Sequence, residues 1–89
     1  MNEIIVFTLD GCGHCDNLKS ELTVQNIQFT EIEIGLNQKI WNQVVEQTGH
    51  NVLPTVFIKK ENTETGPVFV PDRDFKSVDE IVTILKKYL

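Results

Sequence analysis

The chain has 89 residues, 40% of them hydrophobic, which is the composition of an ordinary globular protein, and we expect residues 1–89 to form a single domain. Its 13 acidic and 8 basic side chains give a net charge of −5, which argues against nucleic acid or an anionic membrane as a partner because both need a basic surface. The N-terminus lacks the basic start of a secretory signal and no apolar run has membrane-spanning length, so we expect a cytoplasmic monomer.

The first half of the chain alternates strand and helix patterns. Ile4–Phe7 is a β-branched and aromatic run, typical of a strand buried on both faces. After a break at Gly11, a helix is predicted from Gly13. Its buried stripe is Cys15, Leu18 and Leu22. Residues 29–34 alternate apolar and acidic side chains, which predicts a second strand.

A second helix is predicted between Asn37, which suits the N-cap position, and Gly49, which suits the position after the C-cap. The inner stripe of this helix is expected to be Ile40, Trp41, Val44, Val45 and Thr48.

Two more strands and a helix complete the chain. Residues 55–58 and 68–70 are predicted strands, and the polar turn at 59–66 favours an antiparallel pair. Ser77 and Glu80 have the spacing of a capping box, which marks the start of the last helix. Its buried side is expected to contain Val78, Ile81, Val82 and Leu85.

The predicted order is therefore βαβαββα. A strand–helix–strand opening implies a parallel pair joined by a right-handed crossover. The fold class is α/β, with a four-stranded mixed sheet covered by three helices.

The chemistry lies in Cys12-Gly13-His14-Cys15, where the first strand gives way to the first helix. A helix N-terminus carries unpaired N–H groups and a partial positive charge, so it favours a thiolate, and we expect the pKa of Cys12 to lie below that of a free cysteine. Cys15 lies one turn into the helix, on its buried stripe. Cys12 is therefore the predicted nucleophile and Cys15 the resolving thiol.

Two further interpretations concern the residues around this pair. A zinc site needs four ligands, and beyond Cys12, Cys15 and His14 the remaining candidate is the distant His50, so we predict no metal. Gly13 and His14 are candidate thiolate-tuning residues. A His14 ring beside Cys12 would stabilise the reduced form, whereas a ring that faces solvent would have no such effect.

Leu53-Pro54 directly precedes the predicted third strand. A proline is acceptable there as an ordinary trans residue at the start of a strand. Alternatively it is a cis proline facing the dithiol, which would leave the backbone of Leu53 open to an extended substrate.

Residues 7–15, residues 52–58 and the closing helix resemble glutaredoxins, and residues 15–24 look like those of phage-encoded glutaredoxins that reduce ribonucleotide reductase. The resemblance implies a thioredoxin-like fold, a cis Pro54, and a Leu53 backbone that binds glutathione. It implies no tightly bound cofactor, with glutathione as co-substrate. Electrons would come from glutathione or a thioredoxin-reductase-like enzyme and pass to a disulfide-containing protein, with ribonucleotide reductase as one candidate.

The sequence differs from the family pattern at three places. Gly13-His14 replaces the usual Pro-Tyr, Leu9 stands where a lysine commonly anchors glutathione, and residues 71–74 replace a Gly-Gly pair. Arg73 and Asp74 are candidate substrate- or glutathione-binding residues, although a solvated surface charge also fits Arg73. The competing function is a binding module, either an adaptor or a pair of chains sharing an iron–sulfur cluster through Cys12 and glutathione.

Overall fold

The computed structural model describes residues 2–89 and contains the seven predicted elements in the predicted order. The elements are β1 (Glu3–Thr8), α1 (Gly13–Val24), β2 (Thr30–Glu33), α2 (Gln38–Thr48), β3 (Thr55–Lys59), β4 (Val68–Phe69) and α3 (Val78–Lys86). Among these residues, no helix has the length and apolar character needed to cross a bilayer.

The four strands form one mixed sheet in the order β2-β1-β3-β4. β1 pairs with β2 in parallel, and Phe7 lies opposite Ile32. β1 and β4 both pair antiparallel with β3. The predicted parallel opening and antiparallel return are confirmed, and the carboxyl end of β1 lies in the middle of the sheet.

The two faces of the sheet carry separate apolar clusters. On one face Ile4 and Val6 of β1 pack with residues of α1 and α3, including Leu18 and Leu85. On the other face Phe7 packs with Ile34 and Trp41. β1 is thus buried on both faces, as predicted from its uninterrupted apolar run.

All three predicted cap residues lie at helix ends, and two of them make the interaction or conformation expected of a cap. Ser77 Oγ accepts the Glu80 amide at 3.1 Å, and Gly49 ends α2 in the left-handed conformation with φ 74°. Asn37 occupies the N-cap of α2 but does not cap it with its side chain. Its Nδ2 instead donates to the Glu33 carbonyl at 2.9 Å, which holds the preceding turn.

The predicted inner stripe of α2 was too wide. Trp41 is buried and Val44, Val45 and Thr48 are half-buried, but Ile40 is 44% exposed. Trp41, Val44 and Val45 form the side of α2 that packs on this face of the sheet, and Ile40 lies outside that cluster.

Candidate active site

The dithiol lies at the turn between β1 and α1. Gly11 has φ 85°, a conformation that glycine adopts without strain, and it directs the chain from the strand into the helix. The Cys12 amide donates to the Leu9 carbonyl at 3.0 Å, which closes this turn. Cys12 is the N-cap residue of α1, as expected from its position.

The Cys12 sulfur takes the place of a capping oxygen. The backbone N–H of Cys15 donates to Cys12 Sγ at 3.1 Å. This is one of the four N–H groups that a helix N-terminus leaves without a partner in the helix. The same donor and the helix dipole would stabilise a negative charge on the sulfur of the reduced protein.

The two cysteines form a disulfide, with their Cα atoms 5.2 Å apart. Their exposure differs: Cys15 is fully buried, whereas Cys12 is half-buried. Only Cys12 is therefore accessible to an approaching protein, and Cys15 is held within reach of it.

A groove of about 270 Å³ is lined by His14 of the dithiol loop, although neither Cys12 nor Cys15 is among its lining residues. Leu53, Pro54 and His14 of α1 all line this groove, so the structure brings these three predicted residues together. The Leu53–Pro54 peptide bond is cis, as the resemblance implied, and Pro54 is buried. Gly13 is exposed at the first position of α1 and is not among the lining residues.

The Leu53 backbone has its polar groups unpaired within the described part of the chain. Among residues 2–89, neither its N–H nor its C=O makes a hydrogen bond, although Leu53 lines the groove. An extended peptide could satisfy both groups in the manner of an added strand.

His14 is exposed on the groove wall. Within the described residues its ring makes no hydrogen bond. The residue lines the same groove as Leu53 and Pro54. Its effect on the thiolate stays a prediction.

Arg73 and Asp74 do not line the groove; they form a local network beside β4. Asp74 Oδ2 accepts the Val70 amide at 2.7 Å and Arg73 Nε at 2.9 Å. Arg73 Nη2 also donates to the Val68 carbonyl at 3.0 Å. β4 ends one residue earlier than predicted, where the Val70 amide bonds to the Asp74 carboxylate. A role of Arg73 and Asp74 in binding substrate or glutathione stays a prediction.

Partial burial by itself would raise the pKa of Asp74, but the hydrogen bonds from Arg73 and the Val70 amide outweigh it and lower the pKa below the usual value. A nearby His50 acts in the same direction. The carboxylate is therefore held in its charged form within the turn that follows β4.

The sequence did not indicate several residues of the groove. Its apolar lining includes Leu18, Phe75 and Ile81, and its rim carries Asp72 and Lys76. Asp72 has φ 70°, a left-handed conformation that Asp tolerates better than most residues. The one sequence feature that could have indicated Asp72 is its place in the 71–74 segment, which replaces the Gly-Gly pair. Asp72 contributes a carboxylate to the groove.

A second polar cluster lies on the outer side of α1. Glu31 Oε2 accepts Lys19 Nζ at 2.8 Å and the buried Thr8 hydroxyl at 2.7 Å. The hydrogen bond from Lys19 and then that from Thr8 lower the pKa of Glu31, and the hydrogen bond to Glu31 raises the pKa of Lys19. The cluster ties α1 to β1 and β2 directly behind the dithiol turn.

The sequence matches the glutaredoxin family over residues 4–62. It is also 32% identical over 65 residues to a Mycobacterium tuberculosis protein that carries the glutaredoxin name, found in strains CDC 1551 and H37Rv. That match covers 72% of this chain and 77% of the relative.

Solved structures give the same result for the fold. A thioredoxin-like protein, BC3987, aligns with a TM-score of 0.66 and 20% identity over 98% of this chain and all of that one. Wheat glutaredoxin aligns with a TM-score of 0.62 and 22% identity over 94% of this chain and 69% of its own. A buckwheat glutaredoxin–glutathione complex aligns with a TM-score of 0.57 and 25% identity, over 63% of this chain and 54% of that one.

A thioredoxin-like fold with a dithiol at the N-terminus of its first helix defines a thiol–disulfide oxidoreductase. The family match covers most of the chain, including both cysteines and the Leu53–Pro54 segment. The chain belongs to the glutaredoxin family.

Proposed function

We propose that the chain reduces protein disulfides, with Cys12 as the nucleophile and Cys15 as the resolving thiol. The observation that carries this proposal is the asymmetry of the pair. Cys12 Sγ is accessible and accepts a helix N–H at 3.1 Å, whereas Cys15 is fully buried one turn into α1.

In the first step the Cys12 thiolate attacks one sulfur of the substrate disulfide. That S–S bond breaks, a mixed disulfide to Cys12 forms, and the released substrate thiolate takes a proton. In the second step Cys15, as thiolate, attacks Cys12 Sγ and releases the second substrate thiol. The substrate has gained two electrons, and the chain holds the Cys12–Cys15 disulfide present in this structure.

Glutathione is the proposed co-substrate that restores the dithiol, with two molecules oxidised to glutathione disulfide for each turnover. The likeness to a buckwheat glutaredoxin solved with glutathione supports this choice. A thioredoxin-reductase-like enzyme is the alternative electron donor, because Leu9 stands where the family commonly has a lysine and residues 71–74 replace a glycine pair.

The proposed substrates are disulfide-containing cytoplasmic proteins, with ribonucleotide reductase as a candidate on the strength of residues 15–24. We propose that Leu53, Pro54 and His14 contact the substrate, because all three line the groove and His14 lies within the dithiol loop. The pairing of both cysteines favours dithiol exchange over an adaptor or a cluster-binding role.

Two cysteine variants test the mechanism. Cys12→Ser should abolish disulfide reduction, while Cys15→Ser should accumulate a mixed disulfide that mass spectrometry detects. Parallel turnover with glutathione plus glutathione reductase, and with NADPH plus thioredoxin reductase, identifies the reductant. Alkylation of the reduced protein at neutral pH that labels Cys15 before Cys12 would reverse the assignment.

A further inference from the structure

The segment of residues 50–53, between α2 and β3, carries the Leu53 backbone to the groove. Among residues 2–89, it makes no backbone–backbone hydrogen bond. Its conformation therefore depends on side-chain hydrogen bonds and on packing.

Three side chains hold this segment. At one end the Thr48 hydroxyl accepts the His50 amide at 3.1 Å, and at the other the buried Thr55 hydroxyl donates to the Val52 carbonyl at 2.7 Å. Between them Trp41 Nε1 donates to Asn51 Oδ1 at 3.0 Å. The last bond joins the middle of the segment to a residue of the protein interior.

Trp41 is a rigid anchor for such a bond. It is 2% exposed, and its ring centroid lies 5.5 Å from that of Phe7 in a tilted arrangement. Leu53 packs against the same apolar cluster. The indole thus contacts the segment in two ways, through the Asn51 amide and through the cluster that supports Leu53.

We propose that Asn51 is a positioning residue for the substrate, which holds the Leu53 backbone at the groove wall through its hydrogen bond to Trp41. Asn51 is exposed and does not line the groove. It acts through the segment that it immobilises. The proposal rests on the proposed function, since it assumes that the substrate pairs with Leu53.

The expected kinetic effect lies in binding. Asn51→Ala removes the acceptor and lets the segment move, so ordering it becomes part of the cost of substrate binding. We expect KM for a peptide disulfide to rise about five-fold, the ratio that corresponds to about 1 kcal/mol, with kcat unchanged. The nucleophile is held by the α1 turn, so the alkylation rate of Cys12 and the reduction potential should not change.

Three further variants, compared with Asn51→Ala, separate this role from a general loss of structure. Trp41→Phe removes the donor and keeps a ring against Phe7. Asn51→Asp keeps an acceptor oxygen at the same position. Asn42→Ala is the matched control, because Asn42 is an exposed asparagine of α2 whose Oδ1 accepts from Gln38 at 3.0 Å, away from the segment.

The supporting result is that Asn51→Ala and Trp41→Phe raise KM by similar factors, that the double variant raises it no further, and that Asn51→Asp and Asn42→Ala resemble the wild type. Trp41 is the one tryptophan of the chain, so its emission reports the indole environment directly in the Asn51 variants and should shift in Asn51→Ala.

Two results would overturn the inference. One is a KM for Asn51→Ala within two-fold of the wild type. The other is a change in Cys12 alkylation rate or reduction potential that accompanies the change in KM, because the variant would then disturb the dithiol itself. A wild-type protein that reduces no disulfide would instead refute the proposed function, and the inference would fall with it.

Discussion

Asp74 offers a direct test of whether the turn after β4 is a structural element or a substrate site. Its Oδ2 accepts the Val70 amide at 2.7 Å and Arg73 Nε at 2.9 Å, and its side chain is 28% exposed. Replacing it by alanine leaves the Val70 N–H without its partner and Arg73 without its counter-ion.

The size of the effect follows from these contacts. A hydrogen bond to a charged group contributes about 1.5–3 kcal/mol. The pair with Arg73, whose side chain is 41% exposed, adds only about 0.2–1 kcal/mol because solvent screens it. We expect Asp74→Ala to lower the free energy of unfolding by about 2–3 kcal/mol, and Asp74→Asn, which keeps an oxygen, by about 1 kcal/mol.

The pH dependence has a defined sign. Partial burial opposes it, but Arg73 and the Val70 amide lower the pKa of Asp74 in the folded protein. A lowered folded-state pKa gives stability that is present above the unfolded value, about 3.9, and is lost as pH falls through the folded value. The difference in the free energy of unfolding between the wild type and Asp74→Asn should therefore disappear in acid.

Urea unfolding followed by Trp41 emission measures this difference at pH 7 and along an acid titration. Asp72→Asn is the matched control, since Asp72 is an exposed neighbour and asparagine tolerates its φ of 70°. If Asp74→Ala lowers the free energy of unfolding by less than about 0.5 kcal/mol, the structural role of Asp74 is refuted, because an ordinary surface substitution has an effect of that size. If Asp74→Ala instead raises KM for glutathione and leaves the free energy of unfolding unchanged, Asp74 is a substrate-binding residue.

Two further predictions concern the dithiol turn and the helix behind it. Replacing His14 by valine should lower the reduction potential, because an imidazole beside Cys12 favours the reduced form. Equilibration against a glutathione redox buffer measures the change, for which about 30 mV corresponds to about 1.4 kcal/mol. An unchanged potential would mean that the ring does not act on the thiolate. Glu31→Gln should lower the free energy of unfolding by about 0.2–1 kcal/mol at pH 7, as measured by urea titration. This difference should shrink as pH falls through the lowered pKa of Glu31, and also as pH rises through the raised pKa of Lys19. An equal difference at every pH would show that the ion pair does not contribute.

The order and direction of the elements could be predicted because their signals are local. Ile4–Phe7 is apolar at every position, and this indicates a strand buried on both faces whatever the tertiary structure. Gly49 and Ser77 mark helix ends through backbone conformation and a single hydrogen bond. Each of these features depends on a few neighbouring residues.

The failures came where a residue's role depends on distant parts of the chain. Periodicity placed Ile40 on the buried side of α2, but this residue is 44% exposed, and the helix packs on the sheet through Trp41, Val44 and Val45. Asn37 is the N-cap residue of α2, as predicted, but its side chain donates to the Glu33 carbonyl and makes no hydrogen bond to the helix. Neither the exposure of Ile40 nor the hydrogen-bond partner of Asn37 can be seen in the local sequence pattern.

The same distinction separates the two halves of the active site. The dithiol is encoded within four residues, since a helix that starts at Gly13 makes Cys12 its N-cap and buries Cys15. The groove is assembled from α1, the segment before β3 and the turn before α3, so its lining could not be derived from spacing. Arg73, which lies in the segment that replaces the family's Gly-Gly pair, stays a predicted substrate-binding residue, and its hydrogen bonds to Asp74 and to the Val68 carbonyl could not be read from the sequence. The reactive pair is therefore set by local sequence, while the surface that selects its substrate is set by tertiary contacts.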